Sequence, residues 1–389
     1  MRYNGVKIKT IEEMEKLFYS SKGAALIQKD APVLSTTTGV YNAVYGAEIW
    51  SQLNRESNAF GLLPKNTWDK SGWRVMTARP AASGGGVAEN GAIPATIKPT
   101  FAEISAKPKT VAHTFDVSEL QEFLASQSGD DATADMEVMR AIMGVHHKEM
   151  MNVMLCTSVD TLAGNNLESI DRVTSSYDEV TNCGITAGDA DIYGLDRDAA
   201  ASYADAQLSD GSGTNRILTD PILRAMIRNT IPNAGGNTTF CLTGHDTLSE
   251  IESLYQVQAR YGRNDALSTS DVKLTVNGVE TAKGINVGFK VTSIYGKPFF
   301  TTKNAITSGT GGTAISNIWL LDTSNPEGFS KPRLGLDVAK PTQYFEAGIN
   351  MGNPFAIDRL GNEGMFRTMA ELKCRFFAAQ GKIRDLKSA

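Results

Sequence analysis

The chain opens on two short stretches of helical periodicity. Ile11, Met14, Leu17 and Phe18 share one face behind a Thr10–Glu13 capping box, and Tyr41, Val44, Tyr45, Ile49, Trp50 and Leu53 repeat the pattern after a polar stretch at 35–38. Two small amphipathic helices joined by loops do not bury their stripes alone, so residues 1–56 are expected to form an arm that lies on another surface. Residues 57–115 follow a different rule. Trp73–Thr77 and Thr110–Phe115 read as strands, and between them runs a long, weakly apolar connection through Pro80, Gly84, Gly85, Gly86 and Asn90-Gly91. The pattern predicts an extended hairpin with a loose tip. A two-stranded ribbon is marginal in water by itself, and a long structureless loop inside a compact domain is uncommon unless it has a task. The hairpin is therefore expected to leave its own domain and lie on a neighbouring subunit. Pro64 and Gly72 on one side and Pro108 on the other are the expected hinge positions.

Asp116-Val117-Ser118-Glu119 has the form of a capping box and predicts a short helix to about Ser126. The longest helical pattern then spans about 132–156. Met136, Met139, Met143, Met150 and Met154 form a heptad-like stripe along it, and methionine suits packing that has to shift. Residues 157–216 are poor in apolar positions and carry Asp189, Asp191, Asp196, Asp198, Asp205 and Asp210 around Arg197, which predicts an exposed, loop-rich insertion. Beyond it the pattern is mixed. Asp220-Pro221 predicts the start of a helix carrying Leu223, Met226, Ile227 and Ile231. Phe240–Thr243 reads as a strand, and a second helix is capped near Asp246 and Thr247. Asn277-Gly278 between short β-type runs predicts a tight hairpin. Strands are expected at Phe289–Thr292, Pro298–Thr301 and Asn317–Asp322. The clearest alternation is near the C-terminus, where Ala370, Leu372, Cys374 and Phe376 interleave with Glu371, Lys373 and Arg375.

The 389 residues suffice for two or three domains of the usual size, about 100–200 residues each. With 41% hydrophobic and 21% charged residues the chain is globular in composition, not disordered. A net charge of −5 excludes a protein that holds nucleic acid by overall phosphate neutralisation. Cys156, Cys183, Cys241 and Cys374 are far apart with no C-x-x-C pair, so free thiols are expected in place of disulfides or structural zinc. No apolar run approaches a membrane span of about 20 residues, and the start is polar, so a cytoplasmic origin without a removed prodomain is expected.

Candidate chemistry is thin. His146 and Glu149 sit one helical turn apart but lack further ligands, so a helix-surface histidine pair is the better reading of His146-His147. Asp189-Ala190-Asp191-Ile192-Tyr193-Gly194 begins like a calcium loop, but Tyr193 and Ala200 stand where ligands belong. Gly84–Gly86 lacks the Lys-Ser/Thr of a phosphate loop, and Cys241 with His245 lacks a third group. No catalytic, cofactor or metal residues are assigned.

Taken in order, an arm, a protruding hairpin, a short helix, a long spine helix, an α/β insertion and a return to strands resemble the Hong Kong 97 capsid fold of tailed-virus major capsid proteins. The resemblance covers nearly the whole chain. Lys107-Pro108-Lys109-Thr110 leading into Phe115–Leu120 resembles the return of the family's extended loop into its peripheral domain. Asn317–Asp322 is similar to its axial-domain strands, and Phe366–Arg375 with Gly381–Arg384 to its closing strand and tail. The resemblance implies an α+β fold divided into an N-terminal arm at 1–56, an extended hairpin loop at 57–115, a peripheral domain at 116–216 and 335–389, and an axial domain at 217–334. It implies that inter-subunit contacts involve Trp73, Arg79, Gly84, Gly85, Gly86, Lys98 and Lys107. It also implies a virion shell of pentamers and hexamers, assembled in the host cytoplasm. Such a shell encloses double-stranded DNA without reading its sequence, with scaffold, portal and decoration proteins as possible partners and no membrane. The long acidic stretch at 157–216 departs from the family. The isopeptide cross-link of some relatives is not carried over, because Lys98, Asn353, Asn362 and Glu363 match no motif. An encapsulin-type compartment is the alternative within the fold, and a cytosolic α/β hydrolase the alternative outside it.

Overall fold

The computed structural model describes residues 53–78, 86–93, 96–120, 122, 135–186, 188–197, 203–259, 292–352 and 360–389. It also describes two pairs of two-residue strands, Arg2–Tyr3 with Val6–Lys7 and Thr275–Val276 with Val279–Glu280. The arm helices expected between Thr10 and Trp50, Arg79, Gly84, Gly85, Asn353 and Phe289–Val291 lie outside the described residues. The second strand pair has Val276 opposite Val279, the spacing of a two-residue turn, as the Asn-Gly signal requires.

In chain order the main elements are α1 (Asn58–Leu62), β1 (Lys65–Thr67), β2 (Gly72–Ala78), β3 (Thr100–Ser105), β4 (Lys109–Ser118), α2 (Asp135–Leu155), α3 (Ile170–Val173) and α4 (Tyr177–Cys183). Next come β5 (Gln207–Ser209), β6 (Arg216–Ile217), α5 (Asp220–Arg228), β7 (Phe240–Thr243), α6 (His245–Ala259), β8 (Thr292–Ile294) and β9 (Lys297–Thr301). The last are β10 (Ala314–Ile315), β11 (Ile318–Leu321), β12 (Leu334–Gly348), β13 (Gly361–Cys374), β14 (Gly381–Ile383) and β15 (Leu386–Lys387). The strands form a six-stranded sheet in the order β8-β9-β7-β11-β14-β5, a four-stranded sheet β1-β12-β13-β4, a three-stranded sheet β10-β15-β6 and the ribbon β2-β3. The chain divides into two compact units, residues 1–54, 112–147 and 343–367 in the first and 55–111, 148–342 and 368–389 in the second.

The second unit is built on the six-stranded sheet. Successive side chains on a strand point to opposite faces. On β7 and β11, Phe240, Leu242, Trp319 and Leu321 therefore join one apolar cluster, while Cys241, Ile318 and Leu320 join the other. Both faces are covered, which is why these strands read as continuous apolar runs. α5 (Leu223, Met226) and α6 (Leu248, Ile251) cover one face. α1, the end of α2, α3 and the inner residues of β12 and β13 cover the other, with Leu62, Leu155, Ile170, Leu336 and Leu372 among them. α5 starts one residue earlier than the sequence pattern indicates, with Thr219 as N-cap and Asp220 and Pro221 in the first turn. It runs into a π-helical turn, Asn229–Asn233, holding Pro232, whose missing N–H cannot continue the ladder.

Two expectations are corrected here. Residues 157–216 are rich in loops but not exposed: Ile170, Val173, Ala190, Ile192 and Ala204 are buried. Arg197, fully buried, ties the loops together by donating to the carbonyl oxygens of Ala204 (2.6 Å), Ala190 (3.3 Å) and Val173 (3.3 Å). One guanidinium replaces the apolar residues the segment lacks, because its five donors satisfy several loop carbonyls at once. Second, Asp116–Ser118 continue β4 and do not open a helix, which shows only from Glu119. Along β13 the alternating polar residues Glu371 and Lys373 are buried as well. Lys373 Nζ lies 3.3 Å from the buried Asp337 carboxylate, and Glu371 accepts the N–H of Glu168 at 2.8 Å.

The first unit has its own small core. Phe115 and Val117 of β4, Met136, Met139 and Met143 of α2, Tyr344 of β12 and Phe366 of β13 form one cluster. Arg140 covers it with its guanidinium 4.2 Å from the Tyr344 ring centroid.

Candidate inter-subunit interface

The hairpin β2–β3 pairs antiparallel with Gly72 opposite Ser105 and Met76 opposite Phe101. Its return strand is Thr100–Ser105. The Thr110–Phe115 run expected in that role belongs to β4 and the four-stranded sheet. The three residues at 106–108 separate the two strands, and Ala106 N–H returns to Ser71 O at 2.8 Å to close the ribbon's base.

Period-two alternation gives the ribbon two faces of different character. Trp73 and Ile104 pair across the strands, as do Val75 and Ala102. Of these, Ile104 belongs to the main core, and Trp73 and Val75 pack against it. On the outward face near the base, Arg74 and Glu103 form an ion pair at 2.7 Å. Both are well exposed, so the pair contributes little stability, about 0–1 kcal/mol. Further out, the same face turns apolar: Met76 and Phe101 stand side by side at 55% and 60% exposure. The pairing shifts register between Met76 and Ala78, and an irregularity of that kind bends and twists a ribbon. Past it, Val87, Ile93 and Ile97 are also exposed.

Of the contact residues expected from the sequence, Trp73 sits at the base, half-buried, with its ring 5.4 Å from that of Tyr193 in an edge-on arrangement. Gly86, Lys98 and Lys107 are exposed, and Arg79, Gly84 and Gly85 lie outside the described residues. The sequence pattern gives no sign of the apolar pair Met76–Phe101, because it points to Thr110–Phe115 and not Thr100–Ser105 as the return strand. Of the methionine stripe, Met136, Met139 and Met143 face the first unit's core as the periodicity requires. Toward the end of α2, Met151 and Leu155 are the buried positions, with Met154 beside them, because a 3.6-residue turn drifts away from a seven-residue repeat.

The remaining chemical candidates resolve into structural roles. His113 Nδ1 and His147 Nδ1 are 2.7 Å apart, so one ring donates to the other, and the His147 ring stacks on Phe366. Burial, reinforced by His113 and His146, pushes the His147 imidazolium down to about 4. Asp191 accepts the N–H of Arg197 as a turn cap, and the Cys241 thiol is pushed up to about 12 by burial. Asn362 donates to Glu122 at 2.7 Å. Among the described residues no group of three or more His, Cys, Asp or Glu side chains is placed to hold a metal ion. No helix among them is long and apolar enough to cross a membrane.

No model of a known protein family matches the sequence, and no curated protein matches it either. Solved structures do. The capsid of cyanophage A-1(L) superposes with a TM-score of 0.59 at 14% identity, over 87% of this chain and 95% of that one. The capsid of a native GTA particle gives 0.55 at 9% identity, over 96% and 99%, and that of an empty GTA particle 0.53 at 10%, over 93% and 100%. With coverage this complete in both directions, the chain has the α+β fold of phage-type capsid subunits, the Hong Kong 97 capsid fold.

Proposed function

We propose that this chain is a major capsid protein, a shell subunit that closes on copies of itself as pentamers and hexamers into an icosahedral head around double-stranded DNA. The observation that carries the reading is the outward face of the hairpin. Met76 and Phe101 stand exposed on one face of the ribbon, Val87, Ile93 and Ile97 are exposed in the connection beyond it, and no element among the described residues covers them. A contiguous exposed apolar patch marks an interaction surface. In a shell made of one chain the available cover is another copy, and a contact between two different patches generates a ring when the rotation closes. Pro64, whose carbonyl accepts the Leu336 N–H at 2.9 Å, ties the segment before the ribbon to β12. Weak contacts of ribbon and arm would then add through effective concentration. The near-neutral to acidic balance of the chain fits a wall around nucleic acid, not a surface that grips it. Particles would be expected in the virion after assembly in a host cytoplasm, with scaffold, portal and decoration proteins as outside partners.

The test pairs Met76→Glu with Phe101→Glu. Both positions are exposed, so each variant should melt within a few degrees of the wild type. Both should lose particles in negative-stain microscopy and sediment as small species. Wild-type particles from both variants would overturn the hairpin's role. Nuclease-protected DNA inside wild-type particles distinguishes a genome container from a protein-cargo compartment.

A further inference from the structure

Beneath the hairpin's root lies a cleft of about 460 Å³ lined by Lys70, Trp73, Arg74, Lys331, Lys373 and Arg375, with Asp69 on its rim. Five of these side chains are cations. Three carboxylates answer them: Asp69, held by Lys331 at 2.6 Å; Glu103, bonded to Arg74; and Asp337, fully buried beneath. Five positive and three negative charges leave a surplus of two. Asp337 gathers three of the cations on a single oxygen, Oδ2, which receives Arg375 at 2.6 Å, Lys373 at 3.3 Å and Lys331 at 3.9 Å. Lys373 is fixed further by the Lys70 carbonyl at 2.8 Å and by the Trp68 ring, whose centroid is 3.4 Å from its Nζ. These groups are therefore preorganised, the condition under which charge recognises a ligand instead of merely attracting counter-ions.

A second observation specifies the ligand. Trp73 lines this cleft, and its indole N–H is buried with no hydrogen-bond partner among the described residues. A buried indole N–H nearly always finds an acceptor. The cleft thus combines an unused donor with surplus positive charge, and what it lacks is an acceptor bearing negative charge. We propose that it is an oxyanion site, in which a phosphate- or carboxylate-class group accepts from Trp73 Nε1 and is held by the Lys70, Lys331 and Arg375 charges. A cation is repelled, and a neutral apolar ligand leaves the indole unbonded.

The experiment uses the full chain in a chloride buffer free of other oxyanions, titrated in parallel with inorganic phosphate and with acetate. Binding is read by calorimetry and by the indole N–H resonances in a nitrogen-resolved NMR spectrum. The Trp73 indole signal should move downfield with saturation, while that of Trp319, already bonded to Asp171 at 2.9 Å, stays in place. Trp73→Phe keeps an aromatic ring but removes the donor, and should weaken binding about tenfold, the usual scale for a hydrogen bond to a charged group. Lys70→Gln, at an exposed position, should weaken it less and flatten its salt dependence. Saturation by phosphate alone assigns the site to phosphate-class anions, and comparable saturation by acetate assigns it to carboxylates; either supports the proposal. No saturable shift at Trp73 with either anion, or equal affinity in Trp73→Phe, overturns it. Both readouts are taken on the full chain carrying Met76→Glu, which is expected not to assemble, so neither depends on whether shells form.

Discussion

At the scale of single residues, the fold depends on charges placed where the sequence pattern calls for apolar or solvated groups. Glu179 is fully buried and receives Lys382 Nζ at 2.6 Å and the Arg384 guanidinium, while Lys382 also reaches Asp171 at 3.2 Å. Burial works against the Asp171 charge, yet Lys382 and the Trp319 indole outweigh it and hold the carboxyl below its usual range. Removing one member of a buried network strands the rest. Glu179→Gln should therefore cost about 3 kcal/mol, read as a lower midpoint in urea denaturation. The imidazoles supply a pH dependence. His147 is held down to about 4 by burial and by His113 and His146, whereas an unfolded histidine titrates near 6.5. Between these values the unfolded chain binds the extra proton, so stability falls as pH drops from about 6.5 toward 4. Glu371, pushed up to about 7 by burial, acts with the opposite sign, its contribution shrinking as pH rises from its unfolded value toward 7. The histidine effect is isolated by difference: His147→Gln should flatten the acid limb of stability against pH relative to the wild type. None of these pairings was legible in sequence, since partners such as Glu179 and Arg384 lie far apart along the chain and only folding brings them together.

At the scale of elements, the sequence was informative wherever one period dominates. α2, β7, β11 and the Asn-Gly hairpin fall where the patterns place them, within a few residues. Two elements failed for one reason. β3 and β12 carry mixed polar and apolar residues, because each is only partly covered along its length. In β12 the first four residues, Leu334–Asp337, are buried and the next residues are not, so no single alternation describes the strand. Tight local approach was equally silent. Gly364 on β13 faces Phe115, and a Cβ there would come within 2.5 Å of the ring and 2.8 Å of Tyr344 Oη. Gly364→Ala should cost about 1–3 kcal/mol by forcing that cluster apart, measurable as a drop in melting temperature.

At the scale of the whole molecule, assembly and folding should be separable. Deleting residues 79–99 and bridging β2 to β3 with a short Gly-Ser turn leaves both strands and the cores intact. The truncated chain is expected to melt cooperatively near the wild-type temperature and to form no closed particles. The ribbon also has a consequence for the protein before it finds its neighbours. Among the described residues its sheet has two strands, so both outer edges are open to a further strand beside an oily flank. Such an edge recruits any extended peptide within reach. On the proposed role as a shell subunit, a newly made chain kept concentrated without the chance to close into a shell should gum together through this one protrusion, and a cell producing it has reason to couple synthesis to prompt enclosure.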